Sequence, residues 1–140
     1  MSGVSHYSEC VVCKVLYKPW WRGTEKFCSL QCQANNRRNL KVKEWLETGT
    51  LGNDNSFRIS NYIRSYLIDE AKHKCETCGW SKINPSTNKV PLEIDHIDGN
   101  HQNNKRENLR VICACCHSLT PTYRGLNRGK GRAYRNKKTA

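Results

Sequence analysis

Nine cysteines in a chain of 140 residues limit what the chain can fold into more than any other feature. Eight form two sets of four: Cys10-x-x-Cys13 with Cys28-x-x-x-Cys32, and Cys75-x-x-Cys78 with Cys113-x-x-Cys116. Two residues between cysteines let backbone amides wrap a thiolate pair around one edge of a tetrahedral ion, and a second pair closes the site. Each set therefore reads as a structural Zn2+ site. A disulfide framework is the alternative, but it needs an oxidising compartment. The stretch from Met1 to Tyr7 lacks the basic-then-apolar profile of a secretory signal. Hydrophobic residues make up 36%, lean for a domain held by apolar burial alone, so metal is expected to supply stability that the core does not. The ninth cysteine, Cys115, reads as an inert thiol, since the two-residue gap from Cys113 favours Cys116 as the ligand.

Charge narrows the partner. Lys and Arg total 24 against 12 Asp and Glu, a formal net charge of +12. Filled four-thiolate sites lower that figure but leave the chain basic. No run approaches the ~18 apolar residues of a transmembrane helix, which points away from the membrane and toward a cytoplasmic, polyanion-binding protein. After Glu107 the chain has no acidic residue, yet it holds Arg110, Arg124, Arg128, Lys130, Arg132, Arg135, Lys137 and Lys138. A run of this kind is commonly a solvated tail; beside two zinc modules, phosphate contact is the stronger reading. In the first module, Trp20 and Trp21 lie among Lys14, Lys18, Arg22 and Lys26. They read as a miniature core more readily than as base-stacking rings, while Lys18 and Arg22 join the tail as candidate DNA contacts.

The chain divides into a finger plus helix over 1–47, a linker over 48–56 rich in Gly and Asn, a main domain over 57–126 and a basic tail over 127–140. The first helix is expected from Ser29 to Glu47 with Gly49 as its stop. A second is expected from Ser60 to His73, where Ile63 and Leu67 belong to one apolar stripe; Arg58 and Arg64 lie off that stripe on a face that is solvated by default. Val90 to Ile97 alternates as a strand, Leu109 to Ile112 reads as a second, and a helix is expected to begin near Cys116 and be limited by Pro121. The class is small, zinc-stabilised α+β.

Between the halves of the second cysteine set sit Asp95, His96 and Asn108, with His117 directly after Cys116. A zinc site needs none of these four. Asp95 offers a hard oxygen to a divalent cation, and His96 a nitrogen that takes a proton near neutral pH. His117 can supply a second protein ligand. One carboxylate and one imidazole, with water and phosphate oxygens in the remaining positions, suit Mg2+ or Mn2+. Two plainer readings stand beside this: a capped surface turn at Asp95–Asn100, and a Cys3His zinc site that uses His117.

The segments LEIDHIDGN (Leu92–Asn100) and ENLRVICACCHSLTPTYRGLNRGKGR (Glu107–Arg132) resemble the HNH endonucleases, in the form whose ββα-metal element is braced by two CxxC pairs. His96, Asn108 and His117 match the three name-giving positions. The resemblance covers about Ile63 to Arg132, and the module at 8–33 is similar to zinc fingers that precede this domain in bacteriophage proteins. It implies a ββα-metal domain that hydrolyses DNA phosphodiesters, with His96 as general base, one divalent ion on Asp95 and His117, and Asn108 orienting the loop that precedes the helix. It further implies double-stranded DNA as partner, two structural Zn2+, a monomer or weak homodimer, and a bacterial host cytoplasm. Homing is a common role of such phage proteins. Two departures are Cys115, where a polar residue is frequent, and Pro121, where some members carry another metal ligand. The rival from another class is a non-catalytic zinc-finger DNA-binding protein; RNA binding has no dedicated motif behind it.

Overall fold

The computed structural model describes residues 6–20, 26–50 and 59–128. Trp21, Arg22, Arg58, most of the expected linker, and the tail residues Lys130, Arg132 and Arg135 lie outside them. The chain separates into two units, Met1–Lys43 and Glu44–Ala140; the sequence reading closes the first at residue 47.

In the first unit, strands β1 (Ser8–Glu9) and β2 (Leu16–Tyr17) pair antiparallel. The turn between them carries Cys10 and Cys13. It is closed by Cys10 N–H donating to the Val15 carbonyl (3.0 Å) and Lys14 N–H to the Cys10 carbonyl (2.9 Å), with Lys14 in the left-handed region at φ 61°. Helix α1 (Leu30–Thr48) follows Cys28. The Ser29 hydroxyl accepts from Cys32 N–H at 3.2 Å, the N-cap bond that satisfies an orphan donor of the first turn and presents Cys32 to the cage. Trp20 is 94% exposed, so its ring is no part of a miniature core.

The C-terminal end of α1 lies in the second unit. Its stop is the glycine expected: Gly49 N–H donates to the Trp45 carbonyl (2.7 Å) with φ 67°, the left-handed C-cap that suits a residue without Cβ. Helix α2 (Asn61–Glu70) is shorter than the sequence reading, because Lys72 and His73 both take positive φ and turn the chain toward Cys75. Its Ile63 and Leu67 are fully buried, as the stripe required. The Arg64 guanidinium donates to the Leu92 carbonyl, tying α2 to the next strand.

Strands β3 (Leu92–His96) and β4 (Leu109–Cys113) form an antiparallel pair in the register Leu92↔Cys113, Ile94↔Val111, Asp95↔Arg110 and His96↔Leu109. Leu109, Val111 and Ile112 are buried and make the centre of the core with Leu92, Ile63 and Leu67. Burying each such side chain is worth about 1.5–3 kcal/mol. Trp45 joins them at 1% exposure, its ring edge-on to Tyr66 at 6.0 Å. Helix α3 (Ala114–Ser118) starts two residues before the expected position. Cys113 is its N-cap: the Cys113 sulfur accepts from Cys116 N–H at 3.5 Å, so the strand passes directly into the helix. Among the described residues no helix is long and apolar enough to cross a membrane.

Candidate active site and metal centres

Both cysteine sets converge. In each, the four sulfurs lie within 4.8 Å of one another: Cys10, Cys13, Cys28 and Cys32 in the first unit, Cys75, Cys78, Cys113 and Cys116 in the second. The second cage takes Cys116, leaving exposed Cys115 outside and His117 free of the Cys3His role. Its first half is a tight turn in which Cys75 N–H donates to the Trp80 carbonyl (2.9 Å) and Gly79 N–H to the Cys75 carbonyl (2.8 Å).

The protonation of the cages tests the fit to a metal. The backbone N–H of Cys13, helped by those of Cys28 and Val12, holds the Cys10 thiol down at about 6 against the push of burial. Hydrogen bonds with the Cys13 and Cys32 thiols push Cys28 up to about 12. In the second cage burial pushes Cys75 up, yet the backbone N–H groups of Cys113, Cys78 and Thr77 outweigh it and hold the thiol at about 6. Cys116 is raised, first by the Cys78 sulfur. Four sulfurs this close cannot all ionise together unless a cation balances them, and a tetrahedral dication does so.

The second constellation grows from the pleat of β3. Glu93 and Asp95, two residues apart, share one face, and α3 brings His117 to it. The His117 Nε2 lies 3.6 Å from Asp95 Oδ1, and its Nδ1 contacts Glu93 Oε2. The cross-strand partner Arg110 engages the other Asp95 oxygen, with Nε at 2.9 Å and a terminal nitrogen at 2.8 Å from Oδ2. Asp95 is only 6% exposed; the arginine makes an anion tolerable there and leaves Oδ1 facing the imidazole. A hard oxygen and an imidazole nitrogen, turned toward each other beyond hydrogen-bond distance, form a donor pair suited to a divalent cation. Tyr123 stands edge-on to the His117 ring at 5.2 Å, with the Arg124 guanidinium 5.0 Å from the tyrosine centroid.

His96 occupies the opposite pleat. Its Nε2 is hydrogen-bonded to Asn104 Oδ1 at 2.9 Å. Asn108 closes the loop between: its Nδ2 donates to Asp98 Oδ1 (2.8 Å) and the Asn103 carbonyl (2.8 Å), and its Oδ1 accepts from Asp98 N–H (3.1 Å). Burial pushes the Asp98 carboxyl up, but bonds from Asn103, Asn100 N–H and Asn108, with His96 nearby, hold it below the ordinary value.

Sequence reasoning named Asp95, His96, Asn108 and His117, and the structure brings Asp95 to His117 and Asn108 to the loop behind His96. It missed Glu93, Asn104 and the pairing role of Arg110. Glu93 was legible from the period of two; the other two depend on register and loop path. Of the candidate DNA contacts, Lys18 in the first unit and Arg124 and Arg128 in the second are exposed.

No family model matches the chain, and no solved structure matches it with significance. Over 79 residues it is 42% identical to the H-N-H endonuclease F-TflIV of Escherichia phage T5, covering 54% of this chain and 34% of that protein. Over 80 residues it is 31% identical to the Zorya protein ZorE of Escherichia coli, covering 56% of this chain and 21% of that protein. The chain thus spans about a third of the one relative and a fifth of the other. It resembles an HNH endonuclease over more than half its own length, and its two four-cysteine groups fit the zinc-braced form.

Proposed function

We propose that this chain is a metal-dependent DNA endonuclease in which β3, β4 and α3 form a ββα-metal element, braced by the second of two structural Zn2+ sites. The observation that carries the reading is the meeting of Asp95 and His117 on one face of β3, with His96 on the next residue and Asn108 fastening the loop behind it. A structural zinc site calls for none of these arrangements.

His96 acts as general base. It takes a proton from the water that attacks the scissile phosphorus, as the bond from phosphorus to the 3′ oxygen breaks. Asp95 and His117 are the residues that would hold Mg2+ or Mn2+, which when bound supplies Lewis-acid stabilisation of the charge developing on the leaving oxygen. Arg110 pairs with Asp95 Oδ2 and leaves Oδ1 turned toward His117. Glu93 on His117 Nδ1 directs Nε2 toward Asp95, the outer hydrogen bond that commonly orients a ligating imidazole. Asn108 contributes by shaping the loop and touches no reacting atom. The substrate is double-stranded DNA in a bacterial cytoplasm, bound chiefly through phosphates by the finger, by Arg124 and Arg128, and by the tail; a monomer with one such site nicks.

Cleavage of supercoiled plasmid by the intact protein and by His96→Ala, matched for zinc content, tests this. Nicked product from the intact protein alone, dependent on added Mg2+ or Mn2+ and abolished by chelation, is the expected result. A gel shift by both proteins with no cleavage, repeated on DNA flanking the gene's own locus, would favour the non-catalytic DNA-binding reading.

A further inference from the structure

The general-base candidate is held by a side chain that no motif marks. Asn104 is 8% exposed, and its Oδ1 lies 2.9 Å from His96 Nε2. The amide has one orientation: Nδ2 donates to the Gln102 carbonyl at 3.3 Å, which turns the oxygen to the imidazole. An amide oxygen only accepts, so the His96 nitrogen facing it carries the hydrogen. The Asn104 backbone is fixed in turn, because its carbonyl accepts from the indole N–H of Trp45 at 2.6 Å, across 59 residues of sequence. Trp45 is 1% exposed, and a buried indole needs such a partner. Loop closure does not require the Asn104 side chain, since Asn108 already joins Asp98 to the Asn103 carbonyl.

From this we infer that Asn104 is a positioning residue for His96. Its oxygen fixes the hydrogen on Nε2 and leaves the Nδ1 lone pair as the basic atom, and the last turn of α1, through Trp45, holds Asn104 at its station. The inference deepens the nuclease reading and rests on it for its consequence, although the tautomer itself is independent of activity.

The test uses the full-length, zinc-loaded chain. Nitrogen-15 NMR of the His96 ring should show hydrogen on Nε2 in the wild type and a mixture of tautomers in Asn104→Leu, which keeps side-chain volume without an acceptor. Single-turnover plasmid cleavage by Asn104→Leu should fall about 10- to 100-fold at unchanged DNA affinity, by analogy with the loss when a metal-bound imidazole loses its orienting partner. Asn104→Asp, which keeps an oxygen acceptor, should restore most of the rate. Trp45→Phe, which keeps a ring and deletes only the N–H donor, should give a smaller loss and covers the case in which Asn104→Leu fails to fold. Hydrogen on Nδ1 in the wild type, or Asn104→Leu cutting at the wild-type rate, overturns the inference. If the wild type cuts no DNA while the Nε2 tautomer and its dependence on Asn104 are observed, the nuclease reading falls and the positioning stands.

Discussion

The two cysteine cages have the same four ligands and very different surroundings. The first hangs on a two-stranded hairpin and the start of one helix, and around it, among the described residues, little besides Cys10 is buried. The second joins the turn after α2 to the end of β4 and the start of α3, in a unit where Ile63, Leu67, Leu92, Leu109, Val111 and Ile112 are all buried. The contrast separates two uses of one chemistry. In the finger, a metal in the cage would stand in for a core; in the second unit it would lock a core that already exists.

Zinc removal should show the largest effect. Structural zinc in small fingers contributes about 10–16 kcal/mol of folding free energy, so chelation or Cys10→Ser should abolish amide protection throughout residues 8–33. Cys75→Ser should leave residual protection in α2 and the β3–β4 pair but destroy cleavage. Equal collapse of both units on chelation, followed by hydrogen exchange, would break the comparison.

Next in size is the apolar core. Ile63→Ala should cost about 2–5 kcal/mol in chemical denaturation while leaving zinc stoichiometry at the first cage untouched. A parallel loss of finger protection would mean the units do not fold separately. His96→Ala should lower single-turnover cleavage at least ~100-fold, equivalent to about 2.7 kcal/mol of barrier, with little change in melting temperature. A large melting shift would place His96 in the scaffold rather than in the chemistry.

The smallest effect concerns pH. Asp98 has its pKa lowered in the fold, so it contributes stability above the ordinary carboxylate value, and that contribution is lost as pH falls through the lowered one. Asp98→Asn should flatten the acid limb of the second unit's stability curve and leave the finger's curve alone; an unchanged acid limb would remove Asp98 from the account.

Local pattern revealed much of this. The cysteine spacing marked both cages, Gly49 marked the end of α1, and the alternation from Val90 to Ile97 marked β3 within two residues. The failures have physical causes. The start of α3 was misplaced because its cap is a cysteine, Cys113, rather than a usual capping residue. Trp20 was assigned to a core that the short hairpin cannot build. The Trp45–Asn104–His96 chain joins residues 45 and 104, a separation at which periodicity carries no information; only the fold brings them together. Glu93 was within reach, since a strand that presents Asp95 to α3 presents the residue two before it as well.

Cys113 ends β4, caps α3 and contributes a sulfur to the cage, while His117 lies one helical turn further on. Sulfur and imidazole are therefore two ends of one short lever. A displacement of the cage would rotate α3 about its cap and carry the ring away from Asp95, so the Asp95–His117 alignment depends on the geometry of the brace. On the nuclease reading, a metal in that cage would work as a jig: it would take no part in the cut, yet it would set how true the cut can be.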